Sequence, residues 1–201
     1  MSDFEIVDGK LIKYTGKDDV VKIPDGVVEI GDNCFENSKI KNISFPSTLK
    51  KIGCRAFINA KNLREVNIPD SVTVIDLKSF MNCERIKRVT LSKNIKEIAW
   101  KCFFGCKSLK KIVIPEGVTS IAANAFWGCN EMKCCILPHS LKYIGDTAFG
   151  KEGYYDEEKP FLSFVRGLTI LLMVIALLIA RNLFFYAALI KFLGQKIFRY
   201  I

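Results

Sequence analysis

The sequence is poor in the residues that most often carry chemistry. It contains a single histidine, His139, so no pair of imidazoles is available for acid–base work or shared metal ligation. No two of its cysteines stand in a C-x-x-C pair, the spacing from which zinc sites are usually built. Cys102-x-x-x-Cys106 comes nearest, but those two residues hold different places in the repeat described below. A strained nucleophile elbow and a phosphate-binding glycine loop are both missing, which removes the common settings for nucleophilic and phosphoryl transfer. No enzyme activity, metal or cofactor is expected. Residues 161–201 lack Asp and Glu altogether, and residues 1–10 lack the basic stretch and apolar run of a cleavable secretory signal.

Charge follows the same division. Arg166, Arg181, Lys191, Lys196 and Arg199 supply five of the formal +9, leaving +4 for the 160 residues before them. There the lysines alternate with Asp and Glu instead of gathering on one stripe with aromatics between them, so no nucleic-acid partner is expected.

A period organises the first three-quarters of the chain. Pro recurs at 24, 46, 69, 115 and 138, with Ser92 in the remaining slot; Ile recurs at 30, 52, 75, 98, 121 and 144; Phe recurs at 35, 57, 80, 103, 126 and 149. Each series steps once by 22 and then by 23, the signature of a stacked repeat. One unit reads Val66, Ile68, Pro69, Val72, Ile75, Ser79, Phe80, Cys83, Ile86. Val66 and Ile68 alternate as a strand does, and Pro closes it where a missing donor matters least. Small residues, Cys34, Ala56, Ser79, Cys102, Ala125 and Ala148, precede each Phe and let the chain turn tightly. No unit this short can enclose a core, so its neighbours must cover it. The fold expected is a β-rich solenoid of about six coils with parallel strands, followed by a C-terminal α-helical membrane segment.

The elements Ile23-Pro24, Ile30-Gly31, Ala56-Phe57, Ile114-Pro115, Ala125-Phe126, Ile144-Gly145 and Ala148-Phe149 resemble the BspA-type leucine-rich repeat, known from surface proteins of bacteria and parasitic protists. The likeness covers residues 4–150. Residues 4–14 read as a hairpin turning at Asp8-Gly9, placed in a capping segment 1–19 ahead of repeats at 20–150. Ser92 for Pro and Asp76 for the small residue after Ile depart from the pattern. The resemblance implies a surface-exposed binding or adhesion protein.

Cys83, Cys106 and Cys129 share one repeat position and are expected to stack as small buried hydrophobes. Asn37 and Ala60 are assigned to the same slot in units one and two. Cys54, Cys134 and Cys135 fall outside the ladder slots, Cys134 being the best placed for reactivity, and His139 reads as a solvated turn residue.

Recognition in a solenoid belongs to the outward positions between ladder residues. On the first strand these are Lys22, Ser44, Asn67, Thr90, Val113 and Ile136, and two residues earlier Asn42, Glu65, Arg88 and Lys111; around the second they include Lys96, Lys142 and Tyr143. A protein ligand is expected toward the C-terminal coils, where Val113, Ile136 and Trp127 expose apolar area. Asn42-Ile43-Ser44 satisfies the glycosylation rule.

A polar linker, residues 151–160, leads to residues 161–180, long enough as a helix for a bilayer core at about 30 Å. Phe164, Leu168, Leu172, Ile175 and Leu178 would face lipid there. In 181–201 the basic residues gather on one helical face, with Phe184 and Phe185 among those elsewhere, suiting a basic amphipathic helix on an anionic membrane. The expected protein is single-pass and membrane-associated. The resemblance places its solenoid at the cell surface, while the missing signal places it in the cytosol as a tail-anchored scaffold on an organelle membrane. A fragment of a longer gene is the third reading.

Overall fold

The computed structural model describes residues 3–150; the linker and both helices expected at 151–201 lie outside them. Among the described residues there is no helix, and so none long and apolar enough to cross a membrane. The chain runs as six coils, each carrying two short strands. The first strands, β3 (Val20–Lys22), β5 (Asn42–Ser44), β7 (Glu65–Asn67), β9 (Arg88–Thr90), β11 (Lys111–Val113) and β13 (Cys134–Ile136), form one six-stranded sheet in sequence order. Every pairing in it is parallel, for example Glu65 with Arg88 and Lys111 with Cys134.

The second strands are two residues long: β4 (Glu29–Ile30), β6 (Lys51–Ile52), β8 (Val74–Ile75), β10 (Glu97–Ile98), β12 (Ser120–Ile121) and β14 (Tyr143–Ile144). They too pair in parallel, but the ladder divides between β8 and β10. Ahead of it, β1 (Phe4–Val7) and β2 (Lys10–Tyr14) make an antiparallel hairpin, and β2 joins β4 with Leu11 opposite Ile30. The hairpin turns on Asp8 (φ 50°) and Gly9 (φ 76°), the left-handed pair that a two-residue turn needs.

Alternation decides which side chains go in. Val21, Ile43, Val66, Val89 and Ile112, the central residues of the first five first strands, are buried between exposed or half-buried neighbours. Ile30, Ile52, Ile75, Ile98 and Ile121 are buried opposite them, and Ile144 in the last coil is half-buried. Ile75 and Ile98 belong to the same continuous core even where the second sheet is interrupted.

The phenylalanines form a column. Successive ring centroids from Phe35 through Phe57, Phe80, Phe103 and Phe126 to Phe149 are 4.8, 5.0, 5.4, 5.5 and 5.2 Å apart, with planes within 8° of parallel. That spacing follows the strand repeat of about 4.8 Å and suits offset stacking. Tyr14 on Phe35 and Phe4 on Tyr14 continue the column into the hairpin.

Each coil bends at a left-handed residue, and each of the first five at a second one. Asn33, Arg55, Lys78, Lys101, Asn124 and Thr147 have φ between 53° and 57°, and Asn37, Asn59, Asn82, Gly105 and Gly128 follow four residues later in their coils. Asn and Gly tolerate this conformation best. The asparagines also bond along the stack, Asn59 Nδ2 donating to Asn37 Oδ1 and Asn82 Nδ2 to Asn59 Oδ1, both at 3.1 Å. Gly105 ends this series because a Cβ there would sit 2.4 Å from Asn82 Oδ1.

This second bend corrects one assignment. Asn37 is not in the cysteine slot: Ser38 is, since its amide donates to Phe35 O as those of Ala60 and Cys83 donate to Phe57 O and Phe80 O. Counting from the preceding Phe, not from Cys83 backward, absorbs the single 22-residue step. The cysteines do stack, and their thiols are held. Cys83, Cys106 and Cys129 donate through Sγ to the carbonyls of Phe57, Phe80 and Phe103 at 3.1, 3.3 and 3.3 Å. Ser92, in the proline slot, is fully buried and donates to Val72 O at 2.5 Å.

All eight cysteines are free. Burial pushes Cys34, Cys129 and Cys135 up to about 12, and raises Cys83, Cys102 and Cys106 well above the ordinary thiol value.

Replacing Phe80 by Ala, in mid-column, is expected to destabilise the solenoid by about 3–5 kcal/mol, read as a shift in denaturant midpoint. The raised thiol values predict a second effect. The unfolded chain releases thiol protons near the ordinary value of 9.0, whereas the folded chain retains them. The native state therefore binds more protons above that pH, and stability falls as pH rises, by up to about 1.4 kcal/mol per pH unit per buried thiol. Denaturant titrations at pH 8, 9 and 10 measure it, and Cys83→Ala with Cys106→Ala should flatten the slope.

Candidate binding faces

The residues singled out from the sequence divide between the two sheets. Asn67, Thr90, Val113 and Ile136 lie in one outward row of the six-stranded sheet, continuing Lys22 and Ser44, with Asn67 opposite Thr90 and Val113 opposite Ile136. Arg88 and Lys111 lie in the neighbouring row, which runs Val20, Asn42, Glu65, Arg88, Lys111, Cys134 in register. Lys96, Lys142 and Tyr143 sit at the second strands, across the Pro-led turn, and do not join this surface.

Within the first face the rows are already knitted together. Thr90 Oγ1 donates to Asn67 Oδ1 at 3.0 Å, and Arg88 forks onto the Glu65 carboxylate. The Arg88 and Glu65 side chains stay 77% and 44% exposed, so the pair contributes only about 0–1 kcal/mol to stability. It neutralises the middle of the face and leaves Lys111 toward the C-terminal coils and Lys22 in the first coil as cations. Toward coil six the face turns apolar: Val113 is 48% and Ile136 46% exposed, side by side. Cys134, also exposed, ends the charged row.

His139 stands fully exposed in its turn, Nδ1 lying 3.2 Å from Glu116 Oε1. The His139 amide donates to the same carboxylate, which holds the Glu116 carboxyl below its usual range. This is a turn contact between coils five and six. Among the described residues, no three His, Cys, Asp or Glu side chains come together as a metal site.

Trp127 does not share the Val113–Ile136 surface. It is half-buried on a third edge, formed by the two left-handed turns, in a column with Ile58, Met81 and Phe104 whose carbonyls accept from Asn37, Asn59, Asn82 and Gly105 amides in turn. Beside it runs the column Cys54, Leu77, Trp100, Ala123, of which Leu77 and Trp100 are 36% and 39% exposed. Lys78 and Lys101 place their ammonium groups 4.6 and 4.7 Å from the Trp100 ring centre, and Lys101 lies 5.0 Å from that of Phe104. Such stacking contributes about 0.5–1 kcal/mol at an exposed site. The signal for this edge was present in the sequence as hydrophobic and basic residues 23 apart, but the position after Phe carries no ladder residue to draw attention to it.

A family model, the BspA-type leucine-rich repeat region, matches six copies over residues 28–154. Among solved structures, a leucine-rich repeat protein of T. pallidum is 22% identical with a TM-score of 0.57, over 72% of this chain and 83% of its own, a likeness of fold. A leucine-rich cell surface protein of Faecalibacterium prausnitzii is 33% identical with a TM-score of 0.52 over 70% of this chain. A leucine-rich repeat protein of Bacteroides ovatus is also 33% identical, with a TM-score of 0.57 over 67%. The chain spans 32% and 41% of the length of those last two. None of the curated proteins matches it. With six consecutive repeats matched, the column of rings stacked and the strands parallel as the sequence pattern requires, the chain belongs to the BspA-type leucine-rich repeat family.

Proposed function

We propose that this chain is a non-enzymatic, membrane-anchored recognition module that binds a protein ligand across its six-stranded sheet. The observation that carries the reading is the outward row Lys22, Ser44, Asn67, Thr90, Val113, Ile136, polar at one end and apolar at the other on one parallel sheet. A sheet with an apolar end and a polar remainder offers area to desolvate beside hydrogen-bonding groups, the two kinds of contact that protein interfaces combine. Likeness to a cell surface protein at 33% identity supports display outside the cell. The charge-poor apolar stretch 161–180, with the basic segment after it, supports anchoring through lipid.

Photo-crosslinkers at positions 113 and 136 of the full chain should capture the ligand. Val113→Glu with Ile136→Glu should then weaken its binding by at least about thirtyfold, the scale of losing one hot spot, with the thermal midpoint unchanged. Tyr143→Ala, on the other sheet, should leave binding intact. Binding that survives the first pair and fails with the second contradicts the reading. In intact cells, added protease should cut the solenoid of a surface-displayed chain and spare it in a cytosolic one.

A further inference from the structure

The turn edge carrying Trp100, Phe104 and Trp127 has a composition different from that of either sheet. Three positions per coil build it: the residue before the first left-handed position, that position itself, and the residue after Phe. In coils two to five none of these holds a carboxylate, whereas coil one offers Asp32 and Glu36 and coil six Asp146. The nearest acid from an adjoining position, Asp76, accepts from the Leu77 amide at 2.7 Å and lies 3.9 Å from Lys51. The left-handed slot itself holds Arg55, Lys78 and Lys101 in coils two to four, where coils one and five have the better-suited Asn33 and Asn124. Among the described residues, none of these three cations pairs with a carboxylate.

We propose that this edge rests on an anionic lipid surface, with Trp100 and Trp127 at headgroup depth and Arg55, Lys78 and Lys101 against the phosphates. Aromatic rings interleaved with long cationic side chains are the chemistry of the membrane interface: rings with an apolar body and polar tip settle there, and lysine stems lie along apolar surface while the ammonium stays with the headgroups. The end of coil six adds to this. A Cβ placed on Gly150 would fall 1.9 Å from the Trp127 ring, so Gly150, the last of the described residues, lies on this edge. The carboxylate-free apolar segment begins after ten more residues, 151–160, whose contour is at most about 35 Å. The proposal rests on the membrane-anchored reading above and adds to it a second, peripheral contact, leaving the six-stranded sheet free for a ligand.

The chain contains two tryptophans, and both lie on this edge, so the emission of the full chain reports it directly. The protein would be reconstituted with vesicles of phosphatidylcholine alone or mixed with phosphatidylserine, with and without acyl-brominated lipid, and recovered by flotation. The expected result is emission shifted to the blue and quenched by brominated lipid in the anionic vesicles, with much less of both in phosphatidylcholine. Replacing Arg55, Lys78 and Lys101 together by Asn, the residue coils one and five carry at that slot, should keep the fold and the thermal midpoint. It should lower the docked population by about a hundredfold, from three cations each worth about fivefold at an anionic surface, and abolish the quenching. A chain that floats with the vesicles while its emission stays as in buffer, or responds only to an acidic peptide such as poly-glutamate, overturns the proposal and leaves the anchored reading standing. A chain that does not float overturns both.

Discussion

A ring can stack on its equivalent one coil away only if every coil returns the backbone to the same place and advances by one strand spacing. Most of this molecule is arranged around that constraint. The Phe column needs coils of near-constant length, and the left-handed bends, two in each of the first five coils, provide it. Thiols at 83, 106 and 129 then reach the carbonyl of the Phe one coil earlier, and backbone amides at the bends donate to the next coil. Dispersion between rings is small pair by pair; its effect comes from repetition over an unbroken stack.

The same constraint explains why the surfaces are legible as rows. Residues 22 or 23 apart become neighbours about 4.8 Å away, so any substitution pattern repeated at that period turns into a stripe. The six-stranded sheet bears a stripe that runs from polar to apolar; the turn edge bears one of aromatics and cations. Their separation on the coil allows two different contacts at once.

Much of this could be read from the residues. Phe, Ile and Pro at a common period gave the coil count, the core and the parallel stacking, because a buried ladder tolerates few side chains and so leaves a strong pattern. The left-handed bends were harder to see. Asn37, Asn59, Asn82, Gly105 and Gly128 mix two residue types that share only a backbone preference, and the slip from Ser38 to Asn37 arose at the one shorter coil. Trp127 was grouped with Val113 and Ile136 by position in the chain, yet coil geometry turns it onto another edge. The pairing of Arg88 with Glu65 was implicit in their 23-residue spacing. The break between the β8 and β10 strands was not anticipated, since Ile75 and Ile98 keep the ladder across it, although both departures from the repeat, Asp76 and Ser92, fall beside it.

The claim most exposed to test is that the coils are interchangeable units of one continuous stack. Deleting residues 70–92 removes one full period and rejoins Pro69 to Lys93 in register. The shortened chain should fold cooperatively, with an unchanged type of β spectrum and an unfolding m-value lower by about one-sixth, as expected for loss of one of six similar repeats. A deletion chain that is unfolded, while a 20-residue deletion breaking the register is tolerated, would contradict the account.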